Sequence, residues 1–145
     1  MKNNMKSRHL LLLFISFFFV LPLYAEYFKH IGLSEGLAQP SVMAIYQDRL
    51  GRMWFGTREG ISQYDGNRIR VFKGWIASVG EEPSVWLGNE VSFIVGDSLD
   101  NLYFLIDKNL IKYDIQTEKF VRLTNEGIIT ALTSSEGQVW YMKHD

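Results

Sequence analysis

Hydrophobic and polar residues alternate along four short runs in the stretch from residue 42 to residue 72. Alternation with a period of two is typical of half-buried β-strands and not of helices. Between the runs lie Gly, Asp and Asn residues, which tolerate positive φ and bend the chain back on itself. The runs cover residues 42–46, 53–55, 61–64 and 69–72. Four antiparallel strands in about 30 residues are the size of one β-propeller blade.

The same pattern returns after a fixed interval. Val42, Trp54 and Tyr64 correspond to residues 91, 103 and 113, which all lie 49 positions further along the chain. A constant offset over several strands indicates an internal repeat. A third copy begins at Ile129 and places Trp140 where the first copy has Trp54.

The repeat predicts an all-β protein of four-stranded antiparallel propeller blades, with about two and a half blades and an N-terminal closing strand. The predicted parts are a signal peptide (1–25), a closing strand and lead-in loop (26–41), blade 1 (42–73), an irregular connector (74–90), blade 2 (91–123) and a partial blade 3 (124–145). Because propellers need about 4–8 blades, we expect an N-terminal fragment of a longer protein. The alternative is a short protein that forms rings by oligomerising.

The first 25 residues predict a secretory signal peptide and therefore export. A basic start precedes an apolar run over residues 10–21, and Ala25 fits a cleavage site. The run is short for a membrane span, although an uncleaved anchor is the alternative. Removing three of the 15 Lys and Arg residues leaves 12 against 16 acidic ones, a net charge of −4. Without a basic patch, nucleic acid is not an expected partner, and without cysteines no disulfide framework forms.

No arrangement of catalytic residues is found in the sequence. The three histidines are far apart, and no zinc, calcium or phosphate-binding motif occurs. We therefore predict no enzymatic activity, no cofactor and no metal for this chain. Strand and turn residues with a structural role are expected at Asp48, Gly51, Trp54, Gly56, Gly60, Tyr64, Asp65, Gly66, Tyr103, Tyr113 and Trp140. The aromatic residues at 54, 103 and 140 are expected to pack in the core.

Candidate ligand-binding residues lie on loops. In a propeller, the loops between blades and those between second and third strands share one face, and such loops carry binding residues. Here they cover residues 37–41, 57–59, 75–89 and 107–109. Arg58 and Glu59 could hydrogen-bond a polar ligand, and Trp75 or Trp86 could stack on a sugar ring. The alternative is that the tryptophans pack at the rim and the charges are simply solvated.

The motif over residues 45–66 closely resembles the two-component regulator propeller repeat. Its matching residues are Ile45, Gln47, Asp48, Gly51, Trp54, Phe55, Gly56, Thr57, Gly60, Ile61, Tyr64, Asp65 and Gly66. Residues 28–37 look like the lead-in segment of that family. The second repeat is degenerate, with Leu105-Ile106 in place of Gly56-Thr57 and Asn109 in place of Gly60.

This resemblance implies the periplasmic sensor region of a hybrid two-component histidine kinase, as found in Bacteroidetes-type bacteria. In that family the propellers detect oligosaccharides and lead to a β-sandwich, a transmembrane helix and a kinase, and the full-length sensor can form a homodimer. Inner-membrane anchoring of the full-length protein is implied as well. Two other interpretations stay open: a periplasmic propeller enzyme, such as a quinone-dependent dehydrogenase or polysaccharide lyase, and an exported structural or adhesive propeller.

Overall fold

The computed structural model describes residues 27–76, 85–124 and 127–144, and the chain divides into two units at residue 30. The predicted signal peptide lies outside the described residues. In the first unit, residues 27–30 are irregular, and Tyr27 and Phe28 are exposed. The described part of the predicted closing strand, residues 27–31, therefore forms no strand. A strand forms only where it pairs with a neighbouring strand, and residues 27–31 are not part of any described sheet. That this segment closes a propeller ring stays a prediction.

The second unit opens with a short lead-in. A 3₁₀ turn, Leu33–Glu35, is held by the Gly32 amide, which donates to Glu35 Oε2 at 2.6 Å. The first sheet follows, with strand order β1-β2-β3-β4 and every neighbouring pair antiparallel. Its strands are β1 Val42–Gln47, β2 Met53–Thr57, β3 Gly60–Tyr64 and β4 Ile69–Phe72. All four strands were predicted by the alternation of apolar residues.

The connector differs from the irregular segment that its sequence predicted. Two short antiparallel strands, β5 (Trp75–Ile76) and β6 (Val85–Trp86), form a separate two-stranded sheet. Trp75 and Trp86 are paired across it. The prediction missed this hairpin because two-residue strands are too short to show a period.

Two further sheets complete the described fold. The second is four-stranded and antiparallel, with β7 to β10 in the same sequential arrangement as the first, and the third is two-stranded. Their strands are β7 Val91–Gly96, β8 Leu102–Ile106, β9 Asn109–Asp114, β10 Lys119–Arg122, β11 Ile128–Thr133 and β12 Val139–Lys143. The all-β class built from four-stranded antiparallel blades is confirmed.

The main core lies between the first and second sheets and centres on Trp54. This side chain is 0% exposed, and its ring lies 5.0 Å from Tyr113, 5.7 Å from Phe104 and 6.0 Å from Phe72. Aromatic pairs at these separations contribute both buried area and favourable ring electrostatics. The first and second repeats therefore pack face to face as neighbouring blades.

The three aligned aromatic positions do not share one environment. Trp54 is buried and Tyr103 is half-buried, but Trp140 is 61% exposed. The prediction that Trp140 is a core residue is wrong within this chain. A sheet face is buried only where another element packs on it, and no strand among the described residues covers the face of the third sheet that carries Trp140.

Close approach of the sheets depends on small residues. A Cβ atom added to Gly56 would lie 2.6 Å from Val91 Cγ1, and one added to Gly96 would collide with the Tyr46 hydroxyl. Gly56 is thus needed because a larger residue would clash with the neighbouring sheet, and not because it forms a turn. In the second repeat, Leu105 takes the place of Gly56 and joins a separate hydrophobic cluster with Leu110, Ile128 and Ala131.

Candidate functional site

Three segments meet at the end of the sheets where the second strand turns into the third. We call this surface the turn face and define it by residues 57–60, 87–90 and 106–109. The Gly60 amide donates to Asn89 O at 2.9 Å, and the Asp107 amide donates to Glu90 O at 3.1 Å. These bonds bring together the β2–β3 turn, the end of the connector and the β8–β9 turn, which the sequence placed on one face.

The β2–β3 turn presents Arg58 and Glu59 on a rigid support. Thr57 is fully buried, and its hydroxyl donates to Gly60 O at 2.9 Å while accepting from the Glu59 amide at 3.1 Å. Gly60 has φ +110°, and a Cβ there would lie 2.5 Å from Phe72 O. Arg58 and Glu59 are both exposed. The turn therefore holds two opposite charges in solvent on a fixed backbone.

Asp107 fastens the connector to the second sheet. Its carboxylate accepts from the Asn89 amide at 2.9 Å and from the Glu90 amide at 3.0 Å. Asp107 and Lys108 both have positive φ, 47° and 63°, which non-Gly residues rarely adopt. Asp107 was not among the candidate binding residues. Its alignment with Arg58 could have identified it, because both residues directly follow the second strand of their repeat.

Not all candidate positions can be placed on the turn face. Trp75 and Trp86 are opposite each other in the connector hairpin, but their side chains and residues 77–84 lie outside the described part of the structure. Stacking of these tryptophans on a sugar stays a prediction. In the lead-in loop, the Ala38 amide donates to Ser62 Oγ at 2.9 Å, which ties that loop to β3.

The opposite end of the first sheet is organised by Asp48. Its carboxylate accepts from the amides of Leu50 and Arg52 at 3.0 and 2.9 Å. It also accepts from Arg52 Nε at 2.6 Å and from Trp54 Nε1 at 2.8 Å. Asp48 was predicted only as a turn residue. Its larger role is to join the turn to the central core tryptophan.

The second repeat reproduces this arrangement with different chemistry. Asp97 accepts from the amides of Leu99 and Asn101, from Asn101 Nδ2 at 2.8 Å and from the Tyr103 hydroxyl at 3.0 Å. In the third repeat, the Ser134 hydroxyl accepts from two backbone amides of its own turn. Each repeat therefore has a turn anchor, a side chain after the first strand that accepts hydrogen bonds from the amides of its own turn. In the second repeat, Tyr103 replaces Trp54 as the second-strand side chain that donates to this anchor.

The hydrogen bond between Tyr103 and Asp97 makes the stability of the fold decrease at alkaline pH. Burial, followed by the hydrogen bond to Asp97, raises the pKa of Tyr103 from 10.0 to about 12. Between pH 10.0 and about 12, Tyr103 is deprotonated in the unfolded chain but keeps its proton in the folded chain. The contribution of Tyr103 to stability is therefore fully present below pH 10.0 and is lost as the pH rises to about 12. Denaturation midpoints of wild type and Tyr103→Phe at about pH 8 and about pH 11 should show a smaller alkaline loss in the variant. Equal losses would contradict this assignment.

The Asp97 carboxyl has the opposite dependence. Burial, the largest single influence, acts to raise the pKa of Asp97, but the hydrogen bonds from Asn101, Tyr103 and Leu99 outweigh it and lower the pKa below 3.8. The folded state therefore keeps Asp97 ionised where the unfolded chain is protonated. Stability from this group is present above the unfolded value and is lost as the pH falls through the folded one.

A shallow polar groove lies beside these anchors, with a volume of about 280 Å³. It is lined mainly by polar side chains from the first, second and third sheets and their turns, including Tyr46, Arg49, Ser98, Ser135 and Glu136. Arg49 forms an ion pair of 2.9 Å with Asp100 at this end. Among residues 27–76, 85–124 and 127–144, no group of three or more His, Cys, Asp or Glu side chains is placed to hold a metal. Within the same ranges no helix is long and apolar enough to cross a membrane.

Known proteins share both the repeat and the fold. Residues 36–59 match the family model of the two component regulator propeller. Over 46 residues the chain is 39% identical to histidine kinase P4 from Formosa agariphila. This alignment covers 32% of the chain and 3% of that protein.

Two solved structures are similar in backbone. The extracellular domain assigned to the hybrid two-component system BT3049 from B. thetaiotaomicron aligns with a TM-score of 0.65 and 22% identity, over 78% of this chain and 17% of that one. The corresponding domain of BT4673 aligns with a TM-score of 0.55 and 19% identity, over 82% and 18%. The chain thus spans only a small part of each relative.

These likenesses establish the class of protein, which is a set of consecutive β-propeller blades. More particularly, residues 36–59 match the two component regulator propeller, the family that the motif resembles.

Proposed function

We propose that this chain is the N-terminal part of an exported, ligand-sensing propeller of a two-component sensor that signals to a histidine kinase. The observation that carries the proposal is the match of residues 36–59 to the two component regulator propeller. The names of its relatives support it, since one is a histidine kinase and two are extracellular domains of hybrid two-component systems.

The ligand class that we propose is oligosaccharide, bound at the turn face. Arg58 and Glu59 are exposed there on a turn whose backbone is fixed by Thr57 and Gly60. A guanidinium supplies hydrogen-bond donors and a carboxylate supplies acceptors, which suits the mixed donor and acceptor character of sugar hydroxyls. A rigid scaffold keeps the entropy cost of binding low.

Binding by the purified protein can be measured calorimetrically with a panel of neutral and uronate-containing oligosaccharides. We expect Arg58→Ala and Glu59→Ala each to weaken binding about tenfold, the effect of losing one charge-assisted hydrogen bond. The unfolding midpoint should stay unchanged because both side chains are exposed.

The matched control is Arg68→Ala, at the β3–β4 turn on the other end of the first sheet. Its side chain is 83% exposed and pairs with Asp65, so it should leave binding intact. Two results would count against the proposal: no oligosaccharide binds, or the turn-face variants bind as tightly as wild type.

Export is tested separately. Expression in a Gram-negative host should give a periplasmic product whose intact mass and N-terminal sequence place the first residue at Glu26. The physical reason is the signal peptide pattern, a basic start and an apolar run followed by Ala25. A product that retains residues 1–25 in the cytoplasmic fraction would refute export.

A further inference from the structure

The interface between the first and second sheets encloses three polar atoms that have no hydrogen-bond partner among the described residues. They are Arg52 Nη2, Gln63 Nε2 and Tyr113 Oη. Tyr113 is 0% exposed and Gln63 is 7% exposed. Buried polar atoms in folded proteins are nearly always hydrogen-bonded, either to protein or to ordered water. Three such atoms in one interface therefore indicate a bound group.

All three side chains adjoin Trp54. The Arg52 guanidinium carbon lies 5.6 Å from the centre of the Trp54 ring, and the Tyr113 ring centre lies 5.0 Å from it. Gln63 is the cross-strand partner of Trp54 in the β2–β3 register, and directly opposite residues project from the same face of a sheet. The three groups thus belong to one polar region beside the central tryptophan.

The charges of this region are balanced. Arg52 Nε pairs with Asp48 at 2.6 Å, and Arg70 Nη1 pairs with Glu118 at 2.8 Å. Burial is the main cause that raises the pKa of the Tyr113 hydroxyl, Glu118 adds to it, and Arg52 acts in the opposite direction. The hydroxyl therefore lies within the field of both ion pairs. Since each guanidinium has its own carboxylate, no surplus positive charge is present to hold an anion.

The donor inventory specifies the bound group. Arg52 Nη2 and Gln63 Nε2 can only donate, whereas the Tyr113 hydroxyl can donate or accept. We propose that one ordered water molecule is bound between the first and second sheets, where it accepts hydrogen bonds from the two nitrogens and donates one to Tyr113 Oη. Three polar partners are what a buried water typically has. This water links the β1–β2 turn and β3 to β9 and is a structural site distinct from the proposed ligand surface.

A crystal structure of the protein grown with sodium bromide, with anomalous data, tests the identity of the group. We expect one density peak about 2.7–3.2 Å from the three atoms, without anomalous signal. An anomalous bromide peak at this position would show an anion site and overturn the proposal. Direct hydrogen bonds among the three side chains, with no peak between them, would also overturn it.

A solution measurement provides an independent arm. Oxygen-17 relaxation dispersion counts water molecules with long residence times in the folded protein. Gln63→Leu should lose one such water, whereas the control Gln47→Leu, at an exposed position of β1, should lose none. If Gln63→Leu does not fold, Tyr113→Phe is measured in its place and should show shorter residence of the same water. An unchanged count and residence time in the folded variant would refute the bound water.

Discussion

Replacing Trp54 with Ala is expected to lower the free energy of unfolding by about 3–5 kcal/mol, the range for truncating a large buried aromatic side chain. The indole is 0% exposed and contacts rings from both the first and the second sheet. Its Nε1 also donates to Asp48 at 2.8 Å. The substitution therefore removes apolar burial, leaves a cavity between two blades and deprives a buried carboxylate of a donor.

Chemical denaturation of the purified protein, monitored by circular dichroism, measures this loss. Trp140→Ala is the matched control because it removes the same side chain from the aligned position of the third repeat, where the indole is 61% exposed. Its cost should be below about 1 kcal/mol, as for most exposed positions. Equal costs for the two variants would show that the repeat position, and not the covering sheet, determines the contribution of the tryptophan.

Replacing Asp48 with Ala should cost a similar amount, about 3–5 kcal/mol, because removing one partner of a buried ion pair leaves the other charge uncompensated. The Asp48 side chain is 1% exposed and that of Arg52 is 17% exposed. The same change leaves Trp54 Nε1 without its acceptor inside the core, which adds a desolvation penalty. Urea midpoints compared at constant m-value give the difference.

Asp65 provides the control for this prediction. Its carboxylate accepts from the amides of Asn67 and Arg68 and from Arg68 Nε. That pattern resembles the one at Asp48, but the turn is exposed to solvent. Asp65→Ala should therefore be much less destabilising than Asp48→Ala. A comparable loss at both positions would mean that local turn geometry, and not the connection to the core, accounts for the effect of Asp48.

The strands of both complete blades were predictable because each strand is half-buried and its partner is a few residues away. Alternating apolar positions encode the face that each strand buries, and Gly and Asp residues encode the turns. The β3–β4 turn is an example, since Asp65 and Gly66 bend the chain there as predicted, with Gly66 at φ +99°. The grouping of the turns at one end followed directly from this antiparallel topology.

The parts that were not predictable depend on contacts between repeats. Trp140 aligns with Trp54, yet burial is decided by the sheet that packs on top and not by the residue. Asp48 and Asp107 look like ordinary turn residues, whereas their carboxylates reach groups on other segments. The polar atoms of Arg52, Gln63 and Tyr113 come from two sheets, so their proximity is visible only in three dimensions.

The glycine contacts between blades have a consequence for how such an array can evolve. Gly56 packs against Val91, and Gly96 packs against Tyr46. Gly137 lies so close to Ser98 that an added Cβ would be 2.5 Å from Ser98 Cβ. Each glycine is matched to a residue of one particular neighbour. Blades that look alike in sequence are therefore not interchangeable parts. Deleting, duplicating or transposing a single blade would bring unmatched surfaces together, so recombination should preserve neighbouring blades as pairs.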